Sequence, residues 1–245
     1  YILIVEGSIP TGADGAYCTI GGHSAVEDCK KLVQNAAATI CVGSCSSFGG
    51  IPAAAPNPTD AVSVGSLVPG ATIINLPGCP VNATNLTATI VHFMTFGKLP
   101  AVDSLSRPKF AYGKRIHDNC ERRGHFDAGQ YAESFGDEAH RQGHCLYKLG
   151  CKGPESFHNC PTVRYNEGTS WPVMAGHGCI GCSEPGFWDT MSPFYRRLPK
   201  VPGFGIEDTA DKIGIGLAAA TAVAFGIHGV ASCFRKGDAM EEDKV

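Results

Sequence analysis

Apolar and polar positions alternate between two regimes along the first hundred residues of this 245-residue chain. Short apolar runs at 1–5, 39–42 and 71–76 predict buried strands. Each ends on a loop of small residues: Glu6-Gly7-Ser8, Gly43-Ser44-Cys45 and Pro77-Gly78-Cys79-Pro80. Helical patterns occupy 24–37 and 82–96, the second with Asn82 or Thr84 placed to cap it. Strand, loop and helix in that order predict a parallel α/β sheet over residues 1–105, flavodoxin-like in class. In such sheets the functional loops follow the carboxyl ends of the strands, where Cys45 and Cys79 stand.

The pattern changes at residue 106. Across 106–197 the periodicity fades, Gly, Pro, His, Cys and aromatic residues dominate, and only 128–142 predicts a helix. So irregular a segment buries little core unaided, and bound metal would supply the missing organisation. Residues 198–212 form a Pro- and Gly-bearing linker. Residues 213–232 then run without Asp, Glu, Lys or Arg, and 213–234 is predicted as a transmembrane helix. Arg235 and Lys236 follow it and place its C-terminal end in the cytoplasm.

Composition narrows the function. The charged fraction is 18% and the formal net charge −3, which gives no reason to expect a nucleic-acid partner. No phosphate-binding loop or dinucleotide fingerprint follows any strand. Twelve cysteines are too sparse and too clustered for a disulfide miniprotein. His117, Cys120, Cys145, Cys151, Cys160, Cys179 and Cys182 gather in the second half as a ligand set. Thiolates favour zinc, copper(I) and iron–sulfur clusters. Structural zinc sites pair two short knuckles of two ligands each, and only Cys179-x2-Cys182 has that form. The set does divide as four plus three, so His117, Cys120, Cys145 and Cys151 could hold one cubane and Cys160, Cys179 and Cys182 a three-iron cluster. Zinc and disulfides remain competing readings. Cys18, Cys29, Cys41 and Cys233 suit inert burial instead.

Several longer motifs are more specific. Gly43-Ser44-Cys45-Ser46-Ser47-Phe48-Gly49-Gly50, Pro56-Asn57-Pro58-Thr59, Gly78-Cys79-Pro80, His125-Phe126-Asp127-Ala128-Gly129, Leu149-Gly150-Cys151-Lys152-Gly153-Pro154, Asn159-Cys160-Pro161 and Gly178-Cys179-Ile180-Gly181-Cys182-Ser183-Glu184-Pro185 resemble the small subunit of nickel–iron hydrogenases. The resemblance covers nearly all of residues 1–195, and the C-terminal apolar segment is similar to that of the membrane-bound uptake group.

That resemblance implies an electron-transfer subunit with two 4Fe–4S clusters and one 3Fe–4S cluster. It implies a proximal cubane on Cys45 and Cys79, whose other two ligands come from a C-x2-C motif near the family's N-terminus. That motif is absent here, and the chain opens on a strand without an initiator Met, so the expectation is a sequence that continues upstream. A medial three-iron cluster would take Cys160, Cys179 and Cys182, with Pro172 where a fourth ligand would stand. A distal cubane would take His117, Cys120, Cys145 and Cys151. Catalysis of H2 splitting would belong to the nickel–iron centre of a large subunit.

Further implied partners are a b-type cytochrome, quinone and the lipid bilayer through 213–234. The implied location is membrane-anchored, on the periplasmic face of the cytoplasmic membrane, after export on an upstream twin-arginine signal. Oxygen-tolerant members carry an extra cysteine where this chain has Gly50, which implies an ordinary cubane. Glu6 is expected to tune the proximal site or pass protons, or else to bond loop N–H groups. His228 is expected to approach a haem or a neighbouring helix. The rival readings are a cluster-bearing subunit of another quinone-linked redox complex and a zinc-stabilised interaction module.

Overall fold

Strands β1 (Ile2–Glu6), β2 (Ala38–Val42) and β3 (Ile73–Leu76) pair in parallel with β2 in the centre. Ile4 stands opposite Ile40, and Ile40 opposite Ile74. The computed structural model describes residues 1–198 and 215–229. Every residue of β2 is buried, as a central parallel strand covered on both faces must be. Its side chains alternate between two cores. Cys41 packs with Ala25, Cys29 and Val33 of helix α1 (Ala25–Asn35), whereas Ile40 and Val42 pack with Ile74, Leu76 and Tyr112. Leu86 and Ile90 of a later helix, Ala83–Phe96, close the second core.

The helix starts follow from local chemistry. Ser24 Oγ accepts the Glu27 N–H at 3.2 Å and caps α1. Asn82 Oδ1 accepts the Thr84 N–H at 3.0 Å and caps Ala83–Phe96, which stops at left-handed Gly97. A short helix α2 (Gly43–Phe48) follows β2 directly, where the sequence predicts only a loop. Ala83–Phe96 is therefore α3.

One expectation fails. Residues 128–142 do not form a helix; helical turns occur instead at Arg123–Asp127 and Glu138–Arg141. Gly129 and Gly136 adopt φ +70° and +83°, conformations a right-handed helix cannot contain. Between them, the Ala132 N–H donates to the Cys145 carbonyl at 3.0 Å, while the Cys145 N–H returns to Gln130. The segment spends its backbone bonds on a cysteine loop, and its helical periodicity is overridden by that tertiary pairing.

Residues 1–198 fold as one compact unit. Buried polar contacts join the sheet region to the cysteine-rich region. Arg107 lies between Asp103 Oδ2 at 2.8 Å and Glu184 Oε1 at 3.0 Å, and also donates to the Ser183 carbonyl. Glu184 Oε1 accepts the Phe157 N–H at 2.7 Å. Asn85 and Asn159 exchange two amide hydrogen bonds of 2.9 Å. The core of the second region, Ile116, Ala132, Leu146, Leu149, Trp171 and Val173, includes Cys160 and Cys179 as members.

In the C-terminal part, residues 215–229 are helical and exposed along their length. Among the described residues, no helix is long and apolar enough to cross a membrane. The rest of the 213–234 segment, and the linker from residue 199, lie outside the described residues.

Replacing Arg107 with Met strands Asp103 and Glu184 without their buried cation. Loss of one partner from such a cluster costs about 3–5 kcal/mol. Thermal unfolding of the purified protein is expected to show that loss, and an unchanged transition would contradict it.

Candidate metal-cluster sites

The carboxyl ends of β2 and β3 bring Cys45 and Cys79 together. Cys45 sits on the first turns of α2, and Cys79 on the loop after β3. The Cys45 thiol is pushed up by burial and, more weakly, by Cys79 and Glu6, while a hydrogen bond from the Ile51 N–H lowers it. Glu6, at the end of β1, thus faces the predicted proximal site electrostatically. A Cβ on Gly50 would lie 2.7 Å from Cys45 Sγ, so the turn around this sulfur closes only with glycine there.

Cys160, Cys179 and Cys182 line one cavity of about 300 Å³, with Pro172 in its wall. Burial pushes the Cys160 thiol up to about 12, helped by nearby Cys182, and the Cys182 thiol up to about 11. Cys179 is raised further, by burial and then by Cys151 and Cys182. Cys79 also reaches this wall. Two buried donors complete it. His158 places Nδ1 2.9 Å from Cys160 Sγ, and its Nε2 has no hydrogen-bond partner; neither has Trp171 Nε1. Orphaned donors of this kind around a sulfur-rich cavity fit a group that presents acceptors, as inorganic sulfide does.

The remaining four predicted ligands meet at a second cavity. His117, Cys120, Cys145 and Cys151 line it with Arg122 and Leu146. Burial, and then the Arg123 guanidinium, lowers His117 to about 4, so the imidazole is neutral as a metal ligand must be. The ring stands edge-on to Phe126, with centroids 4.5 Å apart. Burial pushes Cys120 up to about 11 and Cys145 up to about 12. Backbone N–H groups oppose this: Arg122 donates to Cys120 Sγ at 3.4 Å, and Cys179 to Cys151 Sγ at 3.3 Å.

Among the described residues, no three His, Cys, Asp or Glu side chains converge tightly enough for a single metal ion. The sulfurs line cavity walls instead, an arrangement that suits a polynuclear group better than a closed tetrahedral zinc site. All the described cysteines are free thiols. Cys29 and Cys41 lie in the core beneath α1, with burial pushing Cys41 up to about 12. Cys18 packs against the same core, and Cys233 lies outside the described residues. His228 falls in the exposed helix 215–229.

Comparison with known proteins decides the family. Residues 112–195 match the family model for the C-terminal region of the NiFe/NiFeSe hydrogenase small subunit. Residues 1–93 match that of the NADH ubiquinone oxidoreductase 20 kDa subunit. The quinone-reactive Ni/Fe-hydrogenase small chain of Wolinella succinogenes is 52% identical over 244 residues, 96% of this chain and 69% of that one. The chain belongs to the nickel–iron hydrogenase small-subunit family.

The uptake hydrogenase small subunit of Azotobacter vinelandii is 50% identical, over 96% of this chain and 66% of that protein. The chain thus spans about two thirds of the length of these relatives. A reduced, active form of the Ni-Fe-Se hydrogenase from Desulfomicrobium baculatum superposes with a TM-score of 0.75 at 34% identity, covering 81% of this chain and 76% of the other. As a hydrogenase small subunit this chain is part of an oxidoreductase, pairs with a large subunit and serves electron transfer. Proteins of this kind carry iron–sulfur clusters.

Several residues of this small subunit that matter at the sites escape sequence reasoning. Ser44 Oγ accepts the Gly78 N–H at 2.9 Å and donates to the Cys182 carbonyl. Lys152 is buried, with its ammonium on the Arg196 carbonyl and its N–H on the Cys179 carbonyl. Arg122 donates to the His144 carbonyl at 2.8 Å. Only His158, two residues before Cys160, carries a sequence signal, and it is a weak one.

His117 and His158 are both lowered to about 4 from 6.5 by burial. The unfolded chain therefore binds more protons between those values, so stability is full above that window and falls as pH drops through it. Each histidine contributes a slope of up to about 1.4 kcal/mol per pH unit. Denaturation midpoints taken from pH 7 down to pH 4 are expected to decline, and His117→Gln is expected to flatten the decline.

Proposed function

We propose that this chain relays electrons from H2 oxidation on the large subunit through a proximal 4Fe–4S, a medial 3Fe–4S and a distal 4Fe–4S cluster to a membrane b-type cytochrome and quinone. The observation that carries this reading is the succession of three thiol sites. Cys45 faces Cys79, Cys79 reaches the wall that holds Cys160, Cys179 and Cys182, and Cys179 touches Cys151 of the His117 set. When bound, such clusters supply one-electron storage and transfer. The chain's own residues hold the sulfurs, exclude water and aim N–H dipoles at the charge.

Cys45 and Cys79 supply half of a cubane's ligands. Pro172 leaves the medial set at three sulfurs. At the distal site a neutral imidazole replaces one thiolate, which lowers the negative charge there and adjusts the potential. Gly50 leaves the proximal cubane without an additional sulfur ligand.

The membrane part of the reading draws on two supports. Residues 213–232 carry no Asp, Glu, Lys or Arg, a length that suits a bilayer core as a helix. The Wolinella relative is named quinone-reactive. Segment 213–234 would then anchor the chain on the periplasmic face of the cytoplasmic membrane, with Arg235 and Lys236 inside and His228 near the cytochrome. The match of residues 1–93 to a ubiquinone oxidoreductase subunit agrees with a sheet domain used in both kinds of complex.

Low-temperature EPR of the full-length complex, oxidised and then exposed to H2, tests the assignment. The expected result is a three-iron signal that vanishes under H2 as reduced cubane signals appear. Cys160→Ala is expected to abolish the three-iron signal and keep the cubane signals. Clusters that ignore H2 would point to another quinone-linked redox complex, and zinc without labile sulfide would end the electron-transfer reading.

A further inference from the structure

One direct contact joins a thiol set to the next. The peptide N–H of Cys179, a medial residue, donates to Sγ of Cys151, a distal one, at 3.3 Å. Other N–H donors to these sulfurs are local: Arg122 to Cys120 and Gly181 to Cys179.

Gly178 permits this bond. A Cβ there would lie 2.9 Å from Cys151 Cα and 3.1 Å from Cys151 Cβ and N, so any side chain would push the two ligand loops apart. The Lys152 N–H donates back to the Cys179 carbonyl at 2.7 Å and closes the pairing.

We propose that this ligand-to-ligand hydrogen bond is the coupling element between the medial and distal sites, and that Gly178 is the positioning residue that holds it. The proposal rests on the electron-relay reading above. At each step one electron crosses, so the upstream site is oxidised by one equivalent and the downstream site reduced by one. No bond is made or broken, and the N–H proton stays on its nitrogen. An N–H aimed at a thiolate stabilises the more negative, reduced state, so the bond also raises the potential of the distal site that receives the electron.

EPR-monitored redox titration of the assembled complex tests the link. Gly178→Ala is expected to make the distal potential more negative and leave the medial one unchanged. An unshifted distal potential overturns the link, and so does a common shift of all sites.

One measurement needs no variant. Of the N–H donors to distal sulfurs named above, only Cys179 is itself a cysteine, so complex grown on cysteine carrying a heavy nitrogen isotope isolates that bond. Pulsed EPR of the reduced distal site is expected to show one hydrogen-bonded labelled nitrogen, and its absence overturns the link. Sites that never reduce under H2 in the unmodified complex would instead defeat the relay reading itself.

Discussion

A thiol buried among other thiols keeps its proton, and much of this molecule is arranged around that constraint. Burial and mutual proximity push up Cys45, Cys120, Cys145, Cys151, Cys160, Cys179 and Cys182. Thiolates at these positions need compensating positive charge, which bound iron would supply as it displaces the protons. Two of the same cysteines, Cys160 and Cys179, are also core residues of the second region. If these cysteines hold the metal group, binding it and packing the core would be one event there.

The irregular backbone of residues 106–197 serves the same end. Peptide N–H groups that a helix would consume internally are left to point at sulfur, from Arg122, Gly181 and Cys179 among others. The Arg107 cluster and the paired amides of Asn85 and Asn159 bind this segment to the sheet region. With both regions in one compact unit, the loops of the sheet carry Cys45 and Cys79 to the edge of the cavity formed by the second region. Such rigidity would keep neighbouring thiol sites in place, because small displacements alter the contacts between them.

Much of this was legible in the chain. The three strands, α1 and α3 lie within a residue or two of their expected bounds, since apolar periodicity and capping residues act locally. The grouping of Cys and His residues around two separate cavities was legible for another reason: Cys and His beside Gly and Pro have few other uses in such density. The 128–142 helix was misread because its periodicity is real, yet Gly129, Gly136 and the backbone pairing with Cys145 outweigh it. α2 was missed because small residues in a loop carry little helical signal.

By itself the sequence determined which side chains can ligate, which strands form and which family the motifs resemble. These depend on residue chemistry and on contacts between near neighbours along the chain. Only the tertiary structure decided that Ser44 bridges Gly78 and Cys182, that Arg107 ties Asp103 to Glu184, and that Cys179 rests its N–H on Cys151. Such contacts join residues far apart in sequence, and their partners are chosen by packing and by the need to satisfy buried polar groups. No local pattern encodes that choice.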